Sequence, residues 1–210
     1  LSRGLGDVYK RQVQSRLSSP LARYRDEPRR DLTDALLGEA LDVSAHNLKA
    51  TLELVSHRDL NESVELLADV RRRVMVLGGR VSAGLARYLA GQLHLLRPGI
   101  GLVDAERSAP AQQLIDMRKM DVLVVFDYRR YQSDTIESAR VAAARGCGVI
   151  LFTDPWLSPA SAFARQVLVT SMETVGPFDS LVGATAVVEA VVAGYSAPPS
   201  TSAARSRSRF

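Results

Sequence analysis

Apolar residues follow a helical spacing in the first third of the chain, and short strand-like runs alternate with amphipathic stretches after it. Leu32, Leu36, Leu37, Leu41, Leu48, Leu52 and Leu54 form a leucine stripe. It predicts a helix from an Asp31 cap through residue 55, interrupted near residues 43–46. Asp59 or Asn61 opens a second helix carrying Val64, Leu66, Leu67 and Val70. Strands are then expected over 74–77, 101–103, 122–126, 148–153 and 167–170. Helices are expected over 82–96, 110–117, 136–145 and 180–193, with a short turn or helix over 158–163. Strand–helix alternation with such short connections predicts an α/β chain. Its fold class is a three-layer α/β/α sandwich with a five-stranded parallel sheet and an N-terminal helical lead-in.

The third of these strands and the turn after it carry the most chemistry. Val122, Leu123, Val124 and Val125 read as a buried parallel strand. Asp127, Tyr128, Arg129, Arg130, Tyr131 and Gln132 make a polar turn, and Ser133, Asp134 or Thr135 can cap the next helix. A strand feeding a helix start gathers backbone N–H groups and the positive end of the helix dipole at one point. Two guanidinium groups there favour an anion, which can come from a ligand, from Asp127 or Asp134, or from an acidic residue of a second subunit. The first strand ends in Gly78, Gly79, Arg80, Val81 and Ser82. Here the glycines permit a sharp turn and Ser82 can cap the helix or donate to a phosphate. An ordinary strand–helix turn explains the same residues.

Composition narrows the picture. The sequence has 210 residues, 46% of them hydrophobic and 24% charged, as in ordinary globular domains. The formal charge is +4, but it sits at the ends. Residues 1–30 carry +5, the last fifteen residues +3, and the stretch between them −4. A basic central domain that grips nucleic acid is therefore not indicated. Cys147 is the only cysteine, which excludes a disulfide framework and fits a reducing cytoplasm. No run reaches the ~20 apolar residues of a membrane span. His46, His57 and His94 show no metal-ligand spacing, so no metal or cofactor is expected. Trp156, in the turn Asp154–Pro155–Trp156–Leu157, can wall a pocket, meet a second subunit or simply pack the loop. Glu173 is the one carboxylate placed to act as a general base.

With these motifs in place, the chain resembles a sugar isomerase (SIS) domain, specifically the C-terminal effector half of MurR/RpiR-type bacterial transcriptional regulators. The resemblance covers residues 47–193. It rests on the lead-in Asn47, Leu48, Lys49, Ala50, Thr51 and Leu52, on the helix over 60–70, and on the Gly78-to-Ser82 turn. It also rests on the run from Ala142 through Arg145, Gly146, Cys147 and Gly148 into Thr153 and Asp154. Residues 14–21 resemble the end of such regulators' helix-turn-helix domain. Residues 1–30 are then expected to be a non-native scar followed by the linker remnant of a lost helix-turn-helix. Residues 31–72 are the helical lead-in, 73–195 the SIS domain, and 196–210 a disordered tail rich in Ala, Pro, Ser and Arg.

Family members commonly carry G-x-G-x-S at the first turn and S-x-S-G-x-T-x-x-T at the later one, both cradling a sugar phosphate. Gly78 and Ser82 match the first, with Arg80 at the second glycine. In the later turn Asp127 and Arg129 stand for the two serines, Arg130 for the glycine and Gln132 for the threonine, and Thr135 is retained. The resemblance implies a flavodoxin-like, non-catalytic, cytoplasmic module that senses a carbohydrate derivative or other anionic metabolite, such as a sugar phosphate. It would bind through Gly78, Ser82, Arg129, Arg130, Gln132 and Thr135. DNA would be met only through the missing helix-turn-helix, and the leucine-rich lead-in predicts a homodimer or homotetramer. The alternatives are a sugar-phosphate isomerase, for which Glu173 is the only acid/base candidate, and a ligand-free oligomerisation module.

Overall fold

A computed structural model of the chain describes residues 34–103 and 110–196. The expected Asp31 cap, the 1–30 remnant and the tail from residue 197 lie outside the described residues. The lead-in forms α1 (Asp34–Leu54) and α2 (His57–Ala68). Then follow β1 (Val74–Gly78), α3 (Ala83–Leu96), β2 (Ile100–Leu102), α4 (Pro110–Gln113), β3 (Val122–Phe126) and α5 (Ser133–Ala144). β4 (Gly148–Thr153), a 3-10 turn (Pro159–Phe163), β5 (Gln166–Val169) and α6 (Val182–Ser196) complete the chain. The strands are all parallel, in the order β2-β1-β3-β4-β5, as expected of a flavodoxin-like sheet.

Alternate strand residues serve two cores. Val74, Val76, Val124, Phe126, Ile150, Phe152 and Leu168 face α3 and α6 through Leu85, Leu89, Leu93, Val187, Val188 and Val191. Leu77, Leu123, Val125, Val149 and Leu151 face Ala139 and Ala142 of α5 together with Leu114, Met117 and Ala160. Every residue of β3 and β4 is buried, which is why both read as near-continuous apolar runs rather than alternations. At ~1.5–3 kcal/mol for each fully buried aliphatic or aromatic side chain, these two strands dominate the core. Phe126 and Phe152 stack across them with centroids 4.4 Å apart. At the opposite edge of the sheet, the buried Arg97 donates to the carbonyls of Leu67, Asp69, Arg72 and Pro98. It thereby satisfies orphan acceptors where α2 ends.

Several boundaries differ from the sequence expectations, each for a local reason. α1 runs unbroken through residues 43–46. α2 is capped by Ser56, whose hydroxyl accepts the Asp59 N–H at 3.2 Å, not by Asp59 or Asn61. The Asp59 carboxylate instead accepts the Val167 N–H of the neighbouring strand. α4 stops at Gln113 because the N–H groups of Leu114, Ile115 and Met117 bond three residues back, tightening the chain so that Leu114 and Met117 reach the core. β2 sits one residue earlier than expected, with the Val103 N–H still bonding the Val76 carbonyl just past the strand. α6 begins and ends two to three residues later than expected.

Candidate functional site

The sheet reverses its winding between β1 and β3, since β2 lies on one side of β1 and β3 on the other. In open α/β sheets the crevice at such a reversal, outside the carboxyl ends of the strands, is where ligands enter. The Gly78-to-Ser82 turn and the turn from Asp127 to Gln132 face each other there.

The first turn is stitched to the second by one acceptor. The Phe126 carbonyl takes the Gly79 N–H at 3.2 Å and the Ser82 hydroxyl at 2.7 Å. Ser82 therefore makes no side-chain cap on α3, contrary to expectation, because its buried hydroxyl points inward to β3. Gly78 has no room for a side chain: a Cβ there would lie 2.6 Å from the Ser82 carbonyl oxygen and 2.8 Å from the Ala83 backbone. A Cβ on Gly79 would lie 3.3 Å from the Gln132 side-chain amide, so Gln132 packs on the glycine turn as the crevice requires.

The second turn is organised by two buried carboxylates. Asp127 Oδ1 accepts the Gln132 N–H at 3.3 Å and Oδ2 accepts the Ser158 hydroxyl. Asp154 Oδ2 accepts the Arg129 N–H at 2.8 Å, while Oδ1 accepts the Tyr131 hydroxyl at 2.7 Å and the Trp156 N–H at 2.9 Å. Burial raises the Asp127 carboxyl above the usual aspartate pKa. Burial first, and then the bond to Asp154, push the Tyr131 phenol up. The Thr153 hydroxyl donates to the Asp127 carbonyl and accepts the Ser158 N–H, locking β3's turn to β4's. α5 begins at Ser133 with Gln132 as its cap residue and no side-chain cap. The expected caps Ser133, Asp134 and Thr135 are already inside the helix, and Thr135 is buried.

The Arg129 side chain reaches an aromatic ring and a carboxylate that lie beyond its own turn. Its guanidinium lies 3.8 Å from the Trp156 ring centroid and 3.7 Å from Asp179 on the β5–α6 loop. Arg130 is exposed on the outer side of the turn. Leu157 follows Trp156 in the left-handed region at φ 60°, a conformation that costs a branched residue energy and marks the turn as structurally specified. Glu173 lies past β5 with its carboxylate 3.7 Å from His46 Nε2 on α1, both well exposed. His57 and His94 are exposed on α2 and α3, and no metal-binding cluster exists among the described residues. No helix among them is long and apolar enough to cross a membrane.

The crevice thus brings together Gly78, Ser82 and Gln132, with Thr135 buried behind the turn and the Arg129 guanidinium beside Trp156 and Asp179. Sequence reasoning gave Asp154, Tyr131, Ser158 and Asp179 no binding role, and weighed Asp127 as an arginine partner and as the residue at a serine position of the family pattern. A signal was there: the apolar run of β3 leads directly into Asp127, and that of β4 leads through Thr153 into Asp154.

α1 is tied to the same edge. Asn47 is fully buried. Its Oδ1 accepts the Ser171 hydroxyl at 2.7 Å and the Glu173 N–H at 3.0 Å, and its Nδ2 donates to the Glu173 carbonyl at 2.6 Å. The Thr51 hydroxyl accepts the Ser171 N–H at 3.0 Å.

Comparison with known proteins fits this geometry. The SIS domain family matches residues 66–194. No curated protein matches the chain. Among solved structures, the sugar isomerase domain of an RpiR transcription factor from Sphaerobacter thermophilus is 28% identical with a TM-score of 0.70, covering 76% of this chain and 89% of that one. The Vibrio vulnificus NanR protein complexed with ManNAc-6P is 22% identical with a TM-score of 0.67, covering 79% of this chain and 64% of that one. Phosphoheptose isomerase GmhA from Neisseria gonorrhoeae is 14% identical with a TM-score of 0.63, covering 75% and 95%.

Proposed function

The chain belongs to the SIS domain family, and we propose that within it this chain is the effector-sensing and oligomerisation domain of a MurR/RpiR-type DNA-binding regulator. It takes a carbohydrate derivative in the β1/β3 crevice without turning it over. The ligand's ring meets the Gly78-to-Ser82 turn, Gln132 and the turn in front of Thr135, and its anionic group meets the guanidinium groups of Arg129 and Arg130.

One observation carries this proposal: Arg129 of the ligand turn is paired with Asp179, on the loop whose beginning is clamped to α1 by Asn47. Both partners are largely enclosed, at 16% and 15% side-chain exposure, so Arg129 can leave Asp179 only where another anion takes its place, which a ligand's anionic group would do. An effector that engages Arg129 therefore competes with Asp179. The released loop changes its grip on Asn47 and Thr51, and so the setting of α1. Binding regulates only through such a difference in affinity between two settings.

α1 is the output side. Leu37, Leu41, Leu48 and Leu52 lie along one exposed face of it, a row that a second copy of the chain covers in our proposal. A DNA-reading head would be carried upstream of this helix, in the cytoplasm.

An aldose–ketose isomerase is the alternative, and the His46–Glu173 pair is the observation that favours it. General acid–base chemistry on a sugar needs that pair enclosed with the substrate and shielded from water, and both side chains here are open to solvent. Incubation of the chain with aldoses and aldose phosphates in deuterated water separates the two. Saturable binding without deuterium entering the carbon next to the carbonyl is expected. Enzyme-dependent incorporation that Glu173→Gln abolishes would establish the isomerase instead.

A further inference from the structure

A strand–turn–helix at the carboxyl edge of a parallel sheet offers backbone N–H groups to an anion. In this chain two amides of that turn are already engaged from within. At the start of α5 the Gln132 N–H donates to Asp127, and within the turn the Arg129 N–H donates to Asp154. Both carboxylates are essentially inaccessible to solvent, at 1% and 0% exposure. Neither is a passing surface contact: Asp127 is also held by Ser158, and Asp154 by Tyr131 and the Trp156 N–H.

We propose that Asp127 is a specificity-determining residue: its carboxylate is a built-in anion that fills the amide seat of Gln132 at the lead-in to α5 and keeps free phosphate and ligand phosphate groups off the backbone amides of the turn. The effector's own anionic group is then held by guanidinium side chains alone, outside the turn. Where the ligand sits rests on the sensor function proposed above. That the seat is filled does not.

The electrostatics set the direction. A second anion brought beside a buried carboxylate meets like-charge repulsion that water cannot screen, and it finds the Gln132 N–H already engaged. Burial raises the Asp127 carboxyl pKa, while the Ser158 hydroxyl and the Gln132 N–H oppose that shift and favour the charged form. Asp127 is also the residue that stands where the sequence resemblance places a serine, a neutral donor. The substitution therefore exchanges a group that would help an anion bind for one that replaces it.

Inorganic phosphate is the probe, titrated against the intact chain and its Asp127→Ser and Asp127→Asn variants. Amide NMR shifts of Arg129 and Gln132 report the turn itself, and melting temperature reports overall binding. The wild-type amides are expected not to respond saturably to millimolar phosphate. Asp127→Ser should acquire a saturable response at Gln132, with phosphate affinity raised by roughly 100-fold. Asp127→Asn, which keeps the shape and removes the charge, should gain less but in the same direction, and it stands in if the serine variant folds poorly. Saturable phosphate binding at Gln132 in the wild-type chain overturns the proposal, and so does a folded variant whose turn stays blind to phosphate. Neither result touches the sensor function, which is tested by carbohydrate derivatives bound through the arginine side chains. Conversely, a chain that senses nothing can still show the Asp127 effect.

Discussion

Gly78→Ala is expected to destabilise the fold by about 3 kcal/mol or more, the upper end for added volume in a packed region. The new methyl would meet only backbone: the Ser82 carbonyl oxygen at 2.6 Å and the nitrogen and Cα of Ala83 at 2.8 Å. A side chain could swing away, but the first turn of α3 cannot. That Ser82 carbonyl accepts the Ala86 N–H, and the Ser82 hydroxyl holds the β3 carbonyl of Phe126, so displacement breaks both the helix start and the link between the two site turns. Gly84 and Gly91 make the internal control. An added Cβ meets nothing within 4 Å at either, and alanine there should stabilise the helix by about 0.5–1 kcal/mol. Urea unfolding of the three variants checks this, and equal midpoints would contradict it.

Asn47→Ala should cost about 2–4 kcal/mol, because one side chain leaves two donors and an acceptor on the β5–α6 loop without their partner. The Ser171 hydroxyl is buried and pays that penalty in full, whereas the Glu173 backbone is partly reached by water. Asn47→Asp keeps the acceptor for Ser171 and Glu173 but sets a carboxylate oxygen against the Glu173 carbonyl and buries its charge. It should cost at least as much as alanine. The same order should appear in the hydrogen-exchange protection of α1, since the clamp, and not helix propensity, fixes that helix to the domain. Unfolding without any change in α1 protection would mean that α1 is held elsewhere.

How much of this was legible in the sequence follows from what each feature depends on. The strands β3 and β4 were, because a parallel strand covered on both faces reads as a near-continuous apolar run, as Val122–Phe126 does throughout and Gly148–Thr153 does up to its last residue. The fold class followed from the alternation they belong to. Helix starts were not: Ser56, Asp59 and Asn61 are all good caps, and the choice was made by Asp59 bonding across to Val167, a contact 108 residues away. Ser82 likewise reads as a cap, and its inward turn to Phe126 depends on the pairing of β1 with β3. The two arginines of the turn after β3 point to an anionic partner from the sequence alone. That the seat would be filled from within needed the adjacency of Asp127, Asp154 and Ser158, which only the β3–β4 register creates. The partner of Arg129, Asp179, lies fifty residues downstream on a loop with no periodic signal.

The central claim is that guanidinium groups at this crevice receive a carbohydrate-derived anion, and the melting temperature of the Arg129→Ala, Arg130→Ala double variant tests it most directly. At a hundred times its dissociation constant an effector adds ~2.7 kcal/mol to the stability of the wild-type chain, a clear upward shift. The double variant gives up the Asp179 ion pair and the Trp156 stacking, so its own ligand-free melting temperature is the baseline, and the same compound is expected to produce no shift from it. A variant that keeps the full ligand shift would place binding elsewhere and contradict the claim.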